Sequence, residues 1–412
     1  MGWLGLDDTD SLDGGCTTAV FQELLNGLPE STTVGVPRLV RLWPFAQRRT
    51  RGNAAVGVEV HSDDVPGLLD HLDTWWTHRI APLAGTVSPS DISAREQSPA
   101  SPGMVWFDHK PPSEAYTSAV MQEVRLDELP LPRRAWGGHG RIGATAAVAW
   151  PGLVCTWEAI SWRLTDVDGP RNVDNAAIST IDSWPEIVFS RDPRRGTSLI
   201  APRGRSPVLF GVRATTRLAA ERACKLLVES EATEAVQGWT VFQTNQASGD
   251  HLGEDWHLTV KELVVDPDRK HASVFTDGPL VLSYAEGGPV NALARWLKPG
   301  DVILVAGLVD PEGAVHAERL KLVSWVPRKR LRPLCPQCHV RMKSMGAGQG
   351  VRCPKCKRRE GDDWVEVLGT PPFTTWVEPP IDARRHLARP LLWEHAGEKS
   401  KDVPNHEEQG AL

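Results

Sequence analysis

The sequence predicts a multidomain protein of the α+β class, and three observations lead to this prediction. Strand and helix patterns alternate over residues 3–243, short strands with regular turns follow over residues 256–325, and two CxxC pairs lie between Cys335 and Cys356. A chain of 412 residues is long enough for about two to four domains. We therefore expect an α/β domain, a second mixed α/β domain, a small β-barrel and a zinc ribbon.

The chain begins with a predicted strand, an acidic loop and a predicted helix. The strand is the apolar run Trp3–Leu6, and the helix has its apolar face over residues 20–25 and ends at Gly27. Carboxylates crowd into the loop, and they repel one another unless a cation neutralises them. They are Asp7, Asp8, Asp10 and Asp13.

Glycines and hydroxyls complete this acidic loop. Gly14 and Gly15 let the backbone approach a bulky anion, and Thr17 and Thr18 place hydroxyls at a helix N-terminus, which favours negative charge. The loop contains no lysine, so it is not a Walker A motif. It predicts a hard cation such as magnesium together with a phosphate. The alternative is a solvated acidic turn that caps a helix.

A hairpin with a basic tip is predicted next. Arg38–Leu42 reads as one strand, and the alternating valines of Val56–Val60 indicate a half-buried second strand. The connecting loop carries Arg48, Arg49 and Arg51, which either meet the phosphates of a nucleotide or form a solvated loop.

Three further segments lie between this hairpin and residue 150. An amphipathic helix is predicted over Leu68–Trp76, and Ser88–Gly103 is rich in serine and proline, which predicts a flexible loop. Gly137–Gly140 opens a helical run through Val148, either as a tight connection or as a weak phosphate-binding turn.

Residues 153–243 predict an α/β sandwich with helices on one face of a sheet. The predicted helices cover residues 176–182 and 216–229. The predicted strands are Leu153–Arg163, Ile187–Ser190, Ser198–Ala201, Val208–Arg213 and Trp239–Phe242. Three arginines here either bind phosphate or lie at an exposed edge of the sheet: Arg203, Arg205 and Arg213.

Residues 256–325 predict a small barrel, because short strands alternate with turns and no long helix is indicated. The predicted strands are Trp256–Val264, Leu280–Tyr284, Val302–Leu308 and Ala314–Trp325. We expect an OB-fold, which commonly binds single-stranded nucleic acid.

Four cysteines follow with zinc-ribbon spacing. Two CxxC pairs separated by fourteen residues supply the four thiolates of a tetrahedral zinc site: Cys335, Cys338, Cys353 and Cys356. Basic residues surround this set and predict contact with phosphates, the alternative being simple solubility. They include Arg328, Lys329, Arg330, Arg341 and Lys343. Two further basic residues, Arg384 and Arg385, follow later in the chain and carry the same prediction.

Bulk properties restrict the class of protein. The net charge is −6, so a nucleic-acid surface must be local. The sequence has no apolar run of membrane-span length and no signal peptide, and its seven cysteines suit a reducing compartment. We expect a cytoplasmic protein that does not bind a membrane.

Several separated stretches together resemble the archaeal tRNA-isoleucine 2-agmatinylcytidine synthetases. They follow one another in the same order over nearly the whole chain, which is more specific than any single motif. The stretches are Gly5–Ser11, Cys16–Thr18, Arg38–Leu42, Thr50–Asn53, Ile200–Pro202, Pro207–Gly211, Thr244–Gln246, Cys335–Cys338, Arg341–Ser344, Gly348–Gly350, Cys353–Cys356 and Ala383–Leu387.

The resemblance implies a concrete activity. The family uses ATP to replace the C2 oxo group of the wobble cytidine with agmatine in the CAU anticodon of tRNA-isoleucine, so that the tRNA reads AUA. Phosphorylation of the C2 oxygen gives a good leaving group, which the agmatine amine then displaces. The target base must leave the anticodon loop to react.

The resemblance also implies a domain layout. It indicates an ATP-dependent kinase-like domain over residues 1–135, a ferredoxin-like domain over 136–235, an OB-fold over 238–326 and a zinc ribbon over 327–366. A basic segment with a disordered tail would complete the chain over 367–412.

Site residues follow from the matched motifs. Asp7, Asp8 and Asp10 would bind magnesium or orient ATP, and Thr17, or else Thr18, would be the autophosphorylated threonine. Other ATP contacts would come from Gly14, Gly15, Arg51 and Asn53, and the basic residues given above would contact the tRNA.

Two other classes of function compete with this reading. One is a non-catalytic RNA-binding protein with an OB-fold and a zinc ribbon, which gives no reason to concentrate repelling carboxylates in one loop. The other is an ATP-dependent enzyme acting on a small molecule, which leaves the basic C-terminal third unexplained.

Overall fold

A computed structural model describes most of the chain. The described residues are 1–10, 15–48, 53–85, 98–165, 167, 169–192, 194–202, 206–361 and 364–394. They form two compact units: Met1–Gly253 with Leu308–Pro311 and Pro380–Leu412, and Glu254–Gly307 with Glu312–Pro379. The predictions for Gly14, Arg51, Arg203, Arg205, most of the Ser/Pro-rich loop and the C-terminal tail lie outside the described residues.

The first unit contains strands β1 to β12 and helices α1 to α6. The strands are Gly2–Asp7 (β1), Thr32–Val34 (β2), Arg38–Arg41 (β3), Ala54–Ser62 (β4), Gly103–Phe107 (β5), Arg134–Gly137 (β6), Thr156–Arg163 (β7), Ile187–Val188 (β8), Arg191–Asp192 (β9), Thr197–Ser198 (β10), Val208–Ala214 (β11) and Val236–Thr244 (β12). The helices are Thr17–Asn26 (α1), Val65–Trp75 (α2), Glu114–Met121 (α3), Arg141–Ala149 (α4), Asn175–Asp182 (α5) and Arg217–Val228 (α6).

One large sheet contains most strands of the first unit, and β9 and β10 form a separate two-stranded sheet. In the described part of the chain the large sheet has ten strands in the order β6-β5-β1-β4-β3-β12-β7-β11-β8, and β2 pairs with β4 off this path. The predicted hairpin is confirmed, because Arg41 pairs with Ala54 in antiparallel register. The parallel pairing of β3 with β12 joins the two halves of the sheet.

Helices cover both faces of the first half of the sheet. On one face α1 and α2 bury Phe21, Leu24 and Leu72 against the strands. On the other face α4 buries Ala144 and Val148. Because both faces are covered, β4 is buried at four successive residues from 55 to 58, and the expectation of a half-buried strand was wrong.

The second half of the sheet carries α5 and α6. Ile178 and Ile181 of α5 and Leu227 of α6 pack with Phe210 and Val212 of β11 in one core cluster. Two predicted domain boundaries fall within strands of this sheet, at β6 and at the beginning of β12. The domain ranges stay predictions.

The second unit contains β13 to β22 and α7. They are Trp256–Val265 (β13), Ala272–Thr276 (β14), Val281–Ser283 (β15), Pro289–Ala294 (α7), Val302–Val309 (β16), Val315–Ser324 (β17), Lys329–Leu331 (β18), Lys343–Ser344 (β19), Val351–Arg352 (β20), Arg359–Glu360 (β21) and Val365–Val367 (β22). Strands β13-β14-β15-β17-β16 close into a barrel, which confirms the predicted small barrel. The sequence did not indicate β14, which has only five residues.

The four-cysteine segment folds as a ribbon with a three-stranded sheet, β19-β20-β21. Among the helices that the structure describes, none has the length and apolar character needed to cross a membrane.

Candidate functional site

The acidic loop begins at the end of β1, where two carboxylates are held next to each other. Asp7 is 8% exposed, and its Oδ1 accepts a hydrogen bond from the Asp8 amide at 2.7 Å. Asp8 has a φ of 59°, and its Oδ2 accepts a hydrogen bond from the Ser101 amide at 2.8 Å. These bonds fix both side chains at the end of an inner strand of the sheet.

Burial and mutual repulsion change the acidity of these carboxyls. Burial raises the pKa of Asp7 well above its usual value, and the charges of Asp8 and Asp10 raise it further. Burial also raises the pKa of Asp8 to about 7; Asp10 adds to the rise, whereas the Ser101 amide and Arg48 oppose it. A cation among these groups would stabilise their charged forms. The residues present therefore fit a hard cation such as magnesium.

Two threonine hydroxyls lie in the first turn of α1, close to the third carboxylate. Thr17 Oγ1 donates to Asp10 Oδ1 at 3.4 Å and accepts from Thr9 Oγ1 at 3.2 Å. Thr18 Oγ1 accepts a hydrogen bond from Trp162 Nε1 at 3.2 Å. Thr17 thus shares a hydrogen bond with the acidic loop, whereas Thr18 is bound to the second half of the sheet.

Glycines allow the beginning of α4 to pack against the loop. A Cβ at Gly143 would lie 1.9 Å from Asp7 Oδ2, and a Cβ at Gly140 would lie 2.5 Å from the Asp7 carbonyl oxygen. Gly15 has a φ of 78°, a conformation that side chains disfavour. The glycine-rich turn that precedes α4 therefore serves close packing next to the acidic loop.

Asp7 and Asp8 line a cavity of about 340 Å³, which we call the Asp7 cavity. Its wall includes the predicted residue Asn53, whose Nδ2 donates to the Trp43 carbonyl at 2.6 Å. Glu123 and Asp127 add carboxylates, and Arg48, Arg125 and His139 also line the cavity. This composition suits a ligand that brings both a cation and an anion.

Asp10, Gly15, Thr17 and Thr18 line a second cavity, also of about 340 Å³, which we call the Thr17 cavity. Its remaining wall comes from both halves of the sheet and from the segment after residue 380. The acidic loop therefore contributes to two cavities: Asp7 and Asp8 to one, and Asp10 with the threonines to the other.

A charge cluster around the buried Glu158, which the sequence did not indicate, lies in the Thr17 cavity. Glu158, 4% exposed, lies between Arg41 Nη2 at 3.7 Å and Arg213 Nε at 3.6 Å. Gln246 Nε2 donates to Glu158 Oε2, and Gln246 Oε1 lies 3.3 Å from His386 Nδ1. The available signal was a charged residue inside each of the strands β3, β7 and β11, since buried strands rarely carry unpaired charge.

The predicted zinc ligands converge. The four thiols of Cys335, Cys338, Cys353 and Cys356 lie within 4.8 Å of one another, and Cys335 and Cys353 are buried. The amides of Lys355 and Cys356 both donate to Cys353 Sγ at 3.4 Å. Four converging cysteine sulfurs with amide donors fit zinc, which prefers four such ligands and which these cysteines would hold as thiolates.

The predicted tRNA-contacting residues lie in different surroundings. Lys329, Arg330, Arg341 and Lys343 are exposed, and Arg330 lies 3.7 Å from Glu366. Arg328 is partly buried and forms an ion pair with the fully buried Asp301. In the first unit Arg384 and Arg385 are partly buried, and the Arg385 guanidinium lies 4.8 Å from the centre of the Phe45 ring.

Models of three domains of one protein family match this chain. They are the TiaS TCKD domain at residues 3–64, the TiaS FLD domain at residues 138–251 and the TiaS C-terminal zinc ribbon domain at residues 332–367.

Curated relatives match over nearly their full length. The tRNA-isoleucine 2-agmatinylcytidine synthetase TiaS of Methanosarcina mazei is 30% identical, over 95% of this chain and 97% of the relative. The synthetase of the same name from Methanopyrus kandleri is 30% identical, over 95% of this chain and 96% of the relative.

Two solved structures share the fold. A tRNA fluorescent labeling enzyme superposes with a TM-score of 0.76 at 26% identity, over 95% of this chain and 97% of the other. The complex of TiaS with its isoleucine tRNA and ATP superposes with a TM-score of 0.75 at 25% identity and the same coverage of 95% and 97%. This chain belongs to the tRNA-isoleucine 2-agmatinylcytidine synthetase family.

Proposed function

We propose that this chain uses ATP to attach agmatine to C2 of the wobble cytidine in the CAU anticodon of tRNA-isoleucine. The observation that carries the proposal is the acidic loop, whose carboxylates and hydroxyls contribute to two adjacent cavities. The full-length similarity to TiaS proteins supports the same activity. Both favour an enzyme over a non-catalytic RNA-binding protein.

The Asp7 cavity is our proposed site for ATP. Asp7 and Asp8 would hold magnesium, which would neutralise phosphate charge, and Asn53 would line the nucleotide. Gly15 lines the Thr17 cavity together with Thr17 and Thr18. Gly14 and Arg51 remain predicted contacts.

The reaction has two steps in this proposal. A phosphoryl group passes from ATP to the C2 oxygen of cytidine, and the primary amine of agmatine then attacks C2. Inorganic phosphate leaves with the former C2 oxygen, and the amine loses its proton. Asp10 would orient the Thr17 hydroxyl, which becomes the phosphate acceptor in autophosphorylation, with Thr18 as the alternative.

The domain roles follow the same proposal. The first half of the sheet would be the kinase-like domain, the second half the ferredoxin-like domain, and the barrel an OB-fold. Lys329, Arg330, Arg341 and Lys343 would contact tRNA phosphates, together with Arg384 and Arg385. We propose that the protein acts in the cytoplasm.

An incorporation assay tests the function. Radiolabelled agmatine should enter a CAU-anticodon tRNA transcript only when ATP and magnesium are present. We expect Asp7→Asn to reduce the rate by at least about a hundredfold, because charge stabilisation of phosphoryl transfer contributes that much or more. The exposed control Asp70→Asn should match the wild type. Bound tRNA without ATP-dependent label in the wild-type protein would overturn the proposal.

A further inference from the structure

We propose that the Thr17 cavity receives the target cytosine and that Glu158 recognises its 4-amino group. This inference rests on the proposed function, since it assigns a place to the base on which that reaction occurs. Glu158 would be a specificity-determining residue that contacts the substrate.

The cavity has the size and lining of a nucleoside pocket. Its volume of about 340 Å³ exceeds that of a pyrimidine nucleoside, and Ile160, Ile200 and Val208 provide apolar walls for a ring. The polar groups of the cavity include Glu158, Arg41 and Arg213. An apolar slot with a few converging polar groups is typical of a site that orients a flat polar ring.

Glu158 can take up a further hydrogen bond on one side of its carboxylate. Its Oε2 accepts from Gln246, whereas its Oε1 is 3.6 Å from Arg213 Nε, beyond hydrogen-bond distance. A Cβ at residue 211 would lie 2.7 Å from Oε1, so Gly211 leaves room for this oxygen. Among the described residues, Arg213 Nε has no hydrogen-bond partner.

This set of groups matches the pairing edge of cytosine. A carboxylate accepts from the 4-amino group of cytosine, and guanidinium groups can donate to N3 and to the C2 oxygen. Uracil carries an oxygen at C4, which the carboxylate would repel. The C2 oxygen must be phosphorylated in the proposed reaction, and Asp10 and Thr17 of the acidic loop line the same cavity.

The two other substrates fit this cavity less well. ATP already has a proposed site in the Asp7 cavity, so that only its terminal phosphate needs to reach the Thr17 cavity. The guanidinium of agmatine would meet Arg41 and Arg213, which are also positively charged. The cytosine base is neutral and offers both donors and acceptors, so the cluster of one carboxylate and two guanidiniums favours it.

The test removes the 4-amino group from the substrate and the carboxylate from the enzyme. Two tRNA substrates are compared, one with cytidine and one with the pyrimidin-2-one nucleoside at the wobble position. With wild-type enzyme, we expect kcat/KM for agmatine incorporation to fall roughly tenfold to a hundredfold on loss of the amino group. With Glu158→Gln, the same change of substrate should lower kcat/KM by less than about threefold.

The ratio of the two rates contains the change in reactivity of the altered ring in every enzyme, so comparing this ratio between wild type and variant cancels that change. The control Glu221→Gln removes a surface carboxylate that pairs with Lys225 at 2.9 Å. It should show the same decrease in kcat/KM on loss of the 4-amino group as the wild-type enzyme. If Glu158→Gln does not fold, Glu158→Asp keeps the negative charge, withdraws the carboxylate by one methylene and should also make this decrease smaller.

Equal rates of wild-type enzyme on both substrates would overturn the assignment of Glu158. So would a decrease in kcat/KM on loss of the 4-amino group that is as large in both Glu158 variants as in the wild type. Wild-type enzyme that labels neither substrate would instead overturn the proposed function, and this inference with it.

Discussion

At the residue scale, Arg328 shows how a basic residue can belong to the interior. Its guanidinium donates to Asp301 Oδ1 at 2.9 Å and Oδ2 at 2.5 Å, and it lies 3.7 Å from the centre of the Trp296 ring. The Arg328 side chain is 9% exposed, and that of Asp301 is fully buried. We infer that Arg328 stabilises the second unit and does not contact tRNA phosphates.

Replacement of Arg328 should therefore destabilise the protein. Arg328→Met would leave the Asp301 carboxylate buried without its ion-pair partner, and we expect a loss of about 3–5 kcal/mol in the free energy of unfolding. Denaturant titration of the purified protein measures it. Arg330→Met is the matched control, because the Arg330–Glu366 pair is exposed and should contribute less than about 1 kcal/mol. Equal losses in both variants would contradict the structural role of Arg328.

The sequence predicted local residue chemistry better than distant pairing. The four zinc ligands could be predicted because all of them lie within one short segment, where spacing alone brings the thiols together. Arg328 and Asp301 are 27 residues apart, and Glu158 meets Arg41 and Arg213 only through the order of the strands. Residue spacing carries no information about such contacts until the sheet topology is known.

At the element scale, the packing of α4 against β1 determines the shape of the Asp7 cavity. Gly140 and Gly143 bring the first turn of the helix against Asp7, and Gly5 of β1 gives the helix room further along. A Cβ at Gly5 would lie 2.3 Å from the Ala144 carbonyl oxygen. At Gly5 and Gly140 the helix and the strand therefore meet through backbone atoms, which cannot rotate away as a flexible side chain can.

One added methyl group should disturb this contact. Gly143→Ala would place a Cβ 1.9 Å from Asp7 Oδ2, so that either the helix or the carboxylate must move. We expect a loss of at least about tenfold in agmatine incorporation, since small displacements at a reacting centre have effects of this size or larger. Gly238→Ala is the control, because a Cβ there meets no atom within 4 Å. Wild-type activity of Gly143→Ala would show that the close approach is not required.

Strong periodicity explains which elements the sequence predicted. The helices α1 and α2 carry clear apolar faces, and both were predicted. In contrast, β5 and β6 have only five and four residues. Such short segments show no clear strand periodicity, and neither strand was predicted. Strand β5 acquires its structure from pairing with β1, which is distant in the sequence, and β6 pairs with β5.

At the scale of the whole molecule, the two halves of the large sheet meet at a short parallel junction. Only Gln243 with Arg38 and Thr244 with Leu39 pair between the described parts of β12 and β3. The next residue, Asn245, extends the junction with its side chain. Its Oδ1 accepts from the Arg41 amide at 2.8 Å and its Nδ2 donates to the Arg41 carbonyl at 2.9 Å.

Loss of this amide should weaken the junction. Asn245→Asp removes the donor to the Arg41 carbonyl, and we expect a loss of about 1–3 kcal/mol in the free energy of unfolding, because this partly buried carbonyl loses its partner at the fully buried Asn245. The exposed control Asn26→Asp should change stability by less than about 0.5 kcal/mol. Denaturant titration followed by tryptophan fluorescence measures both. Unchanged stability of Asn245→Asp would show that backbone pairing alone holds the halves together.

The position of the second unit within the chain has a consequence for protein synthesis. Apart from residues 308–311, the chain leaves the first unit at Gly253 and returns at Pro380. The returning segment accepts hydrogen bonds from Ala247 and Gly249 through the carbonyls of His386 and Leu387. Because translation proceeds from the N-terminus, the acidic loop emerges before the second unit, whereas His386, part of the Thr17 cavity wall, emerges after it. A nascent chain thus carries the carboxylates of the acidic loop long before the wall of the Thr17 cavity is complete.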